Sequence, residues 1–119
     1  MTVNITHYQG RTCEYDLTIA DANGDAITLY AGDKVRLKIW RQQDGKLLLD
    51  LASGSPTTNG SSLTAANPTR FKGVQNDINW TPGIYDLELL LVDASDSSRV
   101  RHADSGLFIL HDTPAGGLT

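Results

Sequence analysis

Lys34-Val35-Arg36-Leu37-Lys38-Ile39-Trp40-Arg41 places Val35, Leu37 and Ile39 at alternate positions, with Lys34, Arg36 and Lys38 between them. Successive side chains of a strand point to opposite sides, so an apolar face and a cationic face at period two mark a half-buried strand. The same alternation recurs at Cys13, Tyr15, Leu17 and Ile19 around Glu14, Asp16 and Thr18, and at Tyr85, Leu87, Leu89 and Leu91 around Asp86 and Glu88. Extending this reading predicts strands near residues 3–8, 12–20, 34–42, 46–51, 73–80, 84–93 and 105–111, and a weaker one over Ser98–Ala103. Asn23-Gly24 and Asp44-Gly45 suit hairpin turns, and Pro82-Gly83 suits a turn ahead of Ile84. No segment has a helical period. Seven or eight short strands with turns between them predict an all-β fold, an antiparallel β-sandwich in preference to a barrel. The apolar phases nominate Tyr15, Leu17, Ile19, Val35, Leu37, Ile39, Ile78, Trp80, Tyr85, Leu87, Leu89, Leu107 and Ile109 as the core.

The chain has 119 residues, 39% of them hydrophobic, enough for one domain to bury a core without a metal or disulfide and too few for two. Residues 1–112 are read as that domain and 113–119, TPAGGLT, as a tail too poor in apolar groups to pack on its own. A formal charge of −4 argues against a nucleic-acid partner, which calls for clustered Lys and Arg. The single Cys13 excludes an internal disulfide and, in the apolar phase of its strand, reads as an inert buried thiol. The opening MTVNITHYQG has neither a basic start nor an apolar stretch, and the aliphatic run Leu89–Val92 is far short of a membrane span; cytoplasmic synthesis and no membrane partner are expected. The Asn59 and Asn79 sequons then carry no glycan meaning.

Chemistry-bearing constellations are sparse. Asp21, Asn23 and Asp25 alternate like the first ligands of a calcium loop, but Ala26 stands where Gly is required and no bidentate Glu follows, so a plain turn is expected. Asp93, Asp96 and Asp104 flank another loop where carboxylates and carbonyls could form a calcium site, but solvated loop residues are the commoner reading, and His7, His102 and His111 lack the spacing of zinc ligands. No nucleophile elbow or phosphate-binding Gly loop is present, Gly116-Gly117 having no helix behind it; neither enzymatic activity nor a cofactor is expected. Residues 52–70, ASGSPTTNGSSLTAANPTR, carry no charge before Arg70 and form a long connection with at most a short strand near 62–66. Trp80 continues the phase of Val74 and Ile78 and reads as core, whereas Trp40 shares the outward phase of Lys34, Arg36 and Lys38, packed there by a loop or by a neighbouring subunit. If the strands bearing that cationic row and the Asp86-Glu88 pair are neighbours, opposite charges meet across the sheet.

The order Tyr15-Asp16-Leu17-Thr18-Ile19, Asp21 to Ile27, Val35 to Ile39, Asp44-Gly45, Pro82 to Leu89 and Gly106-Leu107-Phe108-Ile109-Leu110 resembles short virion proteins of tailed phages. It is most similar to the immunoglobulin-like domain at the N-terminus of phage baseplate upper proteins, over roughly residues 12–112. That resemblance implies an immunoglobulin-like sandwich and a non-enzymatic structural subunit located in the virion, at the neck, baseplate, tail or head surface, whose partners are copies of itself and other virion proteins. The long uncharged stretch and the end of the sequence soon after the sandwich depart from the family pattern, and the second departure argues against a receptor-binding or fibre role. The alternative is a carbohydrate-binding or adhesive module using an exposed aromatic such as Trp40 or Tyr8. The residues expected at a protein interface are Trp40, Ser55, Pro56, Thr57, Asn59, Asn67, Arg70, Pro114 and Leu118.

Overall fold

Alternation over Lys34–Ile39 makes this segment a strand with Val35, Leu37 and Ile39 fully buried and Lys34, Arg36 and Lys38 turned outward. In the computed structural model, which describes residues 3–96 and 99–112, it is one of eight strands, and no helix occurs among the described residues. The strands are β1 (Val3–Tyr8), β2 (Cys13–Leu17), β3 (Lys34–Arg41), β4 (Leu47–Ala52), β5 (Ser62–Leu63), β6 (Thr69–Gly73), β7 (Gly83–Val92) and β8 (Val100–His111). They form a five-stranded sheet in the order β1-β8-β7-β3-β4 and a three-stranded sheet in the order β2-β6-β5. All pairings are antiparallel except that of β1 with β8. The expected all-β, two-sheet arrangement is the one adopted.

The centre of the larger sheet sets the core. Val35, Leu37 and Ile39 lie opposite Leu91, Leu89 and Leu87 of β7, and Leu37 and Ile39 also lie opposite Leu51 and Leu49 of β4. From the smaller sheet Cys13, Leu17, Leu63 and Phe71 close over them, joined by Ile19 and Ile78 from the connections. Fully burying each such aliphatic side chain contributes ~1.5–3 kcal/mol, so this layer supplies most of the stabilisation available to a small sandwich.

Three expectations are corrected. Leu107 and Ile109 are not core residues: they are half-buried on the outer face, while Phe108 and Leu110 point inward at 0% and 2% exposure. Leu107-Phe108-Ile109-Leu110 is apolar in both phases, so its direction is set by register, with Phe108 opposite the inward Tyr85 and Leu107 opposite Asp86. The strand expected at 73–80 is absent. It forms earlier, at Thr69–Gly73, where it pairs with β2, and the chain then turns through Val74, whose carbonyl accepts hydrogen bonds from the amides of Asp77 and Ile78. Tyr15 and Trp80 are only half-buried against the core rather than within it.

The weaker segment and the one at 105–111 form a single strand, β8, with Ser98 outside the described residues. The N-terminal strand adds Val3, Ile5 and His7 to the buried set. Its approach to β8 is so close that a Cβ on Gly106 would lie 1.6 Å from the Val3 carbonyl oxygen.

Leu37→Ala and Leu87→Ala should each cost ~2–5 kcal/mol, and Phe108→Ala ~3–5 kcal/mol, by urea unfolding. Leu107→Ala should cost less than ~1 kcal/mol, as for other residues outside a packed core. Gly106→Ala should expose the β1 amides to hydrogen exchange while those of β3 and β7 stay protected. Equal losses at Leu107 and Phe108 would refute the register.

Candidate functional site

The outward face of the larger sheet is a grid fixed by strand register. Leu107, Asp86, Trp40 and Leu47 form one row across β8, β7, β3 and β4; Ser105, Glu88, Lys38 and Asp50 form the next; Ala103, Leu90, Arg36 and Ala52 form a third. Ile109 and Ile84 sit side by side beyond the first row. Outer faces of antiparallel sheets are ordinarily polar. Here Ile84 is 51% and Leu47 41% exposed, and Trp40, Leu107 and Ile109 are half-buried beside them.

Polar groups fill the rest of the grid. The Arg36 guanidinium donates to both carboxylate oxygens of Asp50 at 2.7 and 2.6 Å, and this pairing holds the Asp50 carboxyl below its usual range. Gln42 Nε2 donates to Asp86 Oδ1 at 3.0 Å. These groups are solvent-exposed, so each pair contributes little to stability, and their arrangement matters more for what can dock.

At one end of the sandwich Ile84 also borders a groove of about 510 Å³ shared by Arg41, Gln42, Leu48, Asn79, Trp80 and Tyr85. The Trp80 ring lies 5.2 Å from Tyr85 and 5.7 Å, edge-on, from Phe108, so the aromatic cluster ties the groove to the core. Tyr85 Oη donates to the Thr81 carbonyl, and Gln9 Nε2 donates to the Trp80 carbonyl at 2.9 Å. Arg41 on the rim donates to Asp44 at 3.0 and 2.6 Å and pulls that carboxyl down to about 2.

Of the residues nominated from sequence, Thr57 and Asn59 come together on Asp77, and the rest are distributed over different parts of the fold. Trp40 lies on the outer face, beside Leu47. Ser55 and Pro56 are exposed, with Ser55 bridged to Ala52. Thr57 Oγ1 and Asn59 Nδ2 donate to the Asp77 carboxylate at 2.6 and 2.9 Å, and Ser61 Oγ donates to it as well. Asn67 staples two segments: its Oδ1 accepts from Ile19 N at 2.9 Å, and its Nδ2 donates to the Ile19 and Ile27 carbonyls, each at 2.7 Å. Arg70 pairs with Asp16 across β2 and β6 at 3.1 Å. Pro114 and Leu118 lie outside the described residues.

Sequence reasoning missed Leu47, Ile84 and Leu107 on the outer face and Asp77 as the anchor of the polar connection. Asp77 could have been sought as the one carboxylate closely following a stretch full of hydroxyl and amide donors.

Other chemistry is quiet. Burial pushes the Cys13 thiol up to about 11, and it is 1% exposed. Asp21 Oδ1 accepts from the amides of Asn23 and Asp25, making the 21–25 segment a turn. Among the described residues no group of three or more His, Cys, Asp or Glu side chains is gathered where it could hold a metal. No known family model matches this chain, and no curated protein matches it.

Burial raises the Asp77 carboxyl, but the hydrogen bonds from Asn59, Ser61 and Thr57 outweigh it and leave the group below its ordinary value. A depressed folded-state value means stability that is present above the unfolded value of about 4 and lost as pH falls through the folded one. Below pH ~4 the amides of the 57–61 segment should therefore lose exchange protection before those of β3. Asp77→Ala should cost ~1–3 kcal/mol at pH 7 and abolish that acid step. Asn67→Ala should cost a similar amount with no acid step removed. Uniform acid loss across both regions would contradict the assignment.

Proposed function

We propose that this chain is a non-enzymatic structural subunit of a phage particle, with an immunoglobulin-like sandwich that acts through protein–protein contacts in the neck, baseplate, tail or head surface. The observation that carries the docking role is the outer face of the five-stranded sheet, where Ile84 and Leu47 stand exposed beside half-buried Trp40, Leu107 and Ile109. Exposed apolar side chains set among polar groups on one sheet face are characteristic of interaction sites.

Two further observations support the immunoglobulin-like topology. The order β8-β7-β3-β4 facing β2-β6-β5 parallels the G-F-C-C′ and B-E-D orders of such domains, with β1 added parallel to the last strand. Tyr85, near the start of β7, donates its hydroxyl back to Thr81, as the tyrosine corner of these sandwiches does. The phage assignment itself rests on the resemblance in strand and turn order, since folds of this kind host many functions.

The groove favours a second reading. Trp80 and Tyr85 with the amides of Gln42 and Asn79 form an aromatic and amide lining of the kind that receives sugars, and glycan titration followed by Trp fluorescence tests it.

Purified particles from cells carrying this gene provide the test of the structural role. The chain is expected to co-sediment with particles in fixed stoichiometry, and Ile84→Glu is expected to reduce its incorporation at least tenfold while leaving the melting temperature within ~2 °C, because the residue packs on nothing in the core. Recovery only in the soluble fraction, or undiminished incorporation of the variant, would contradict the proposal.

A further inference from the structure

We infer that the occupant of the outer face is a second copy of this chain, stacked sheet on sheet about a twofold axis that runs along the strands between β3 and β7. This rests on the reading that the face docks protein. It goes further by naming the partner and the geometry.

Charge supplies the argument. The chain carries −4 overall, yet the outward positions of this face hold three cations, Lys34, Arg36 and Lys38, against three anions, Asp50, Asp86 and Glu88. Two copies therefore meet here without the repulsion that the whole-chain charge imposes elsewhere. The cations lie on β3, and two of the anions lie on its neighbour β7. Rotation about an axis along the strands, midway between these two, lays β3 of one copy over β7 of the other and keeps each row level. Lys38 then faces Glu88 of the second copy, twice by symmetry, because both occupy the same row.

Part of the apolar surface follows the same operation. Leu47 and Leu107, at opposite ends of one row, come to face each other across the axis, and Ala52 comes to face Ala103, while Trp40 lies over Asp86 and Arg36 over Leu90. A twofold axis in the face but perpendicular to the strands is disfavoured, since it stacks β3 on β3 and sets cation against cation. Aligned sheets pack about 10 Å apart, a gap that Leu, Trp and paired Lys and Glu side chains fill.

Sedimentation of the purified full chain tests this. The wild type is expected at twice the chain mass at high concentration, dissociating at least tenfold more readily in 1 M salt. Lys38→Glu alone and Glu88→Lys alone should each be monomeric. Their equimolar mixture should restore the dimer, because every Glu at 38 in one copy then faces a Lys at 88 in the other. The mixture separates a contact between copies from the neighbouring of Lys38 and Glu88 within one sheet. If either charge variant fails to fold, Leu47→Glu, exposed at the start of β4, serves instead and should weaken the dimer at least tenfold. A wild type that stays monomeric at millimolar concentration, or a mixture that stays monomeric beside a dimeric wild type, overturns the inference. Particles that contain the chain while the purified protein stays monomeric would overturn the twofold face and leave the structural role standing. A dimer formed by a chain missing from particles would overturn the particle assignment and leave the twofold face standing.

Discussion

The pairing of β3 with β7 is the constraint on which the rest of the fold depends. With Val35 opposite Leu91, Leu37 opposite Leu89 and Ile39 opposite Leu87, the inward positions at the centre of both strands are aliphatic, and Lys34, Arg36 and Lys38 lie outside. A slip of one residue would turn Lys34, Arg36 and Lys38 into a closed apolar layer, where an unpaired charge costs more than any single contact returns. Once this pair is set, β8 takes its phase from β7, β1 from β8, and β4 from β3. The outer grid of Trp40, Leu47, Ile84 and Leu107 is thus a by-product of core register. So is the alternation of charge sign between neighbouring strands that gives the face its symmetry.

The smaller sheet is held by different means. β5 has two residues and β6 five, too few to secure a sheet by ladder hydrogen bonds alone. Polar staples compensate. Asp77 gathers hydroxyl and amide donors from the 57–61 segment, Ser61 Oγ also accepts from the Val74 amide at 2.9 Å, and Asn67 binds the chain after β2. Ser61 and Thr69 are fully buried, so the uncharged stretch at 52–70 is in good part internal structure rather than free loop. The larger sheet, by contrast, leaves the apolar side chains of Ile84 and Leu47 exposed among charged groups on its outer side.

How much was legible follows from these two regimes. Strand β3 and the first half of β7 could be read because period-two alternation is unbroken over Lys34–Ile39 and Tyr85–Leu89, and those positions carry most of the predicted core. In β8 the run Leu107 to Leu110 is apolar in both phases and carries no directional signal, so only pairing with β7 decides that Phe108 goes in. Thr69–Gly73 contains one large apolar residue, and its strand character comes from lying against β2, with Phe71 opposite Tyr15 and Arg70 opposite Asp16. Asn67 looked like a loop surface residue because its partners, Ile19 and Ile27, are 48 and 40 positions away. Of the candidate surface, the outward phase of Trp40 was visible in the sequence. The neighbours that make it a patch come from three other strands and appear only once register is known.

Covering of that patch in the assembled state is the central claim, and hydroxyl-radical footprinting of dilute and concentrated protein addresses it most directly. Tyr30, 65% exposed and outside the outer-face grid, serves as the internal reference. The account predicts that labelling of Trp40, Leu47 and Ile84 falls severalfold on concentration while Tyr30 is unchanged. Equal labelling of all four residues at both concentrations would contradict it.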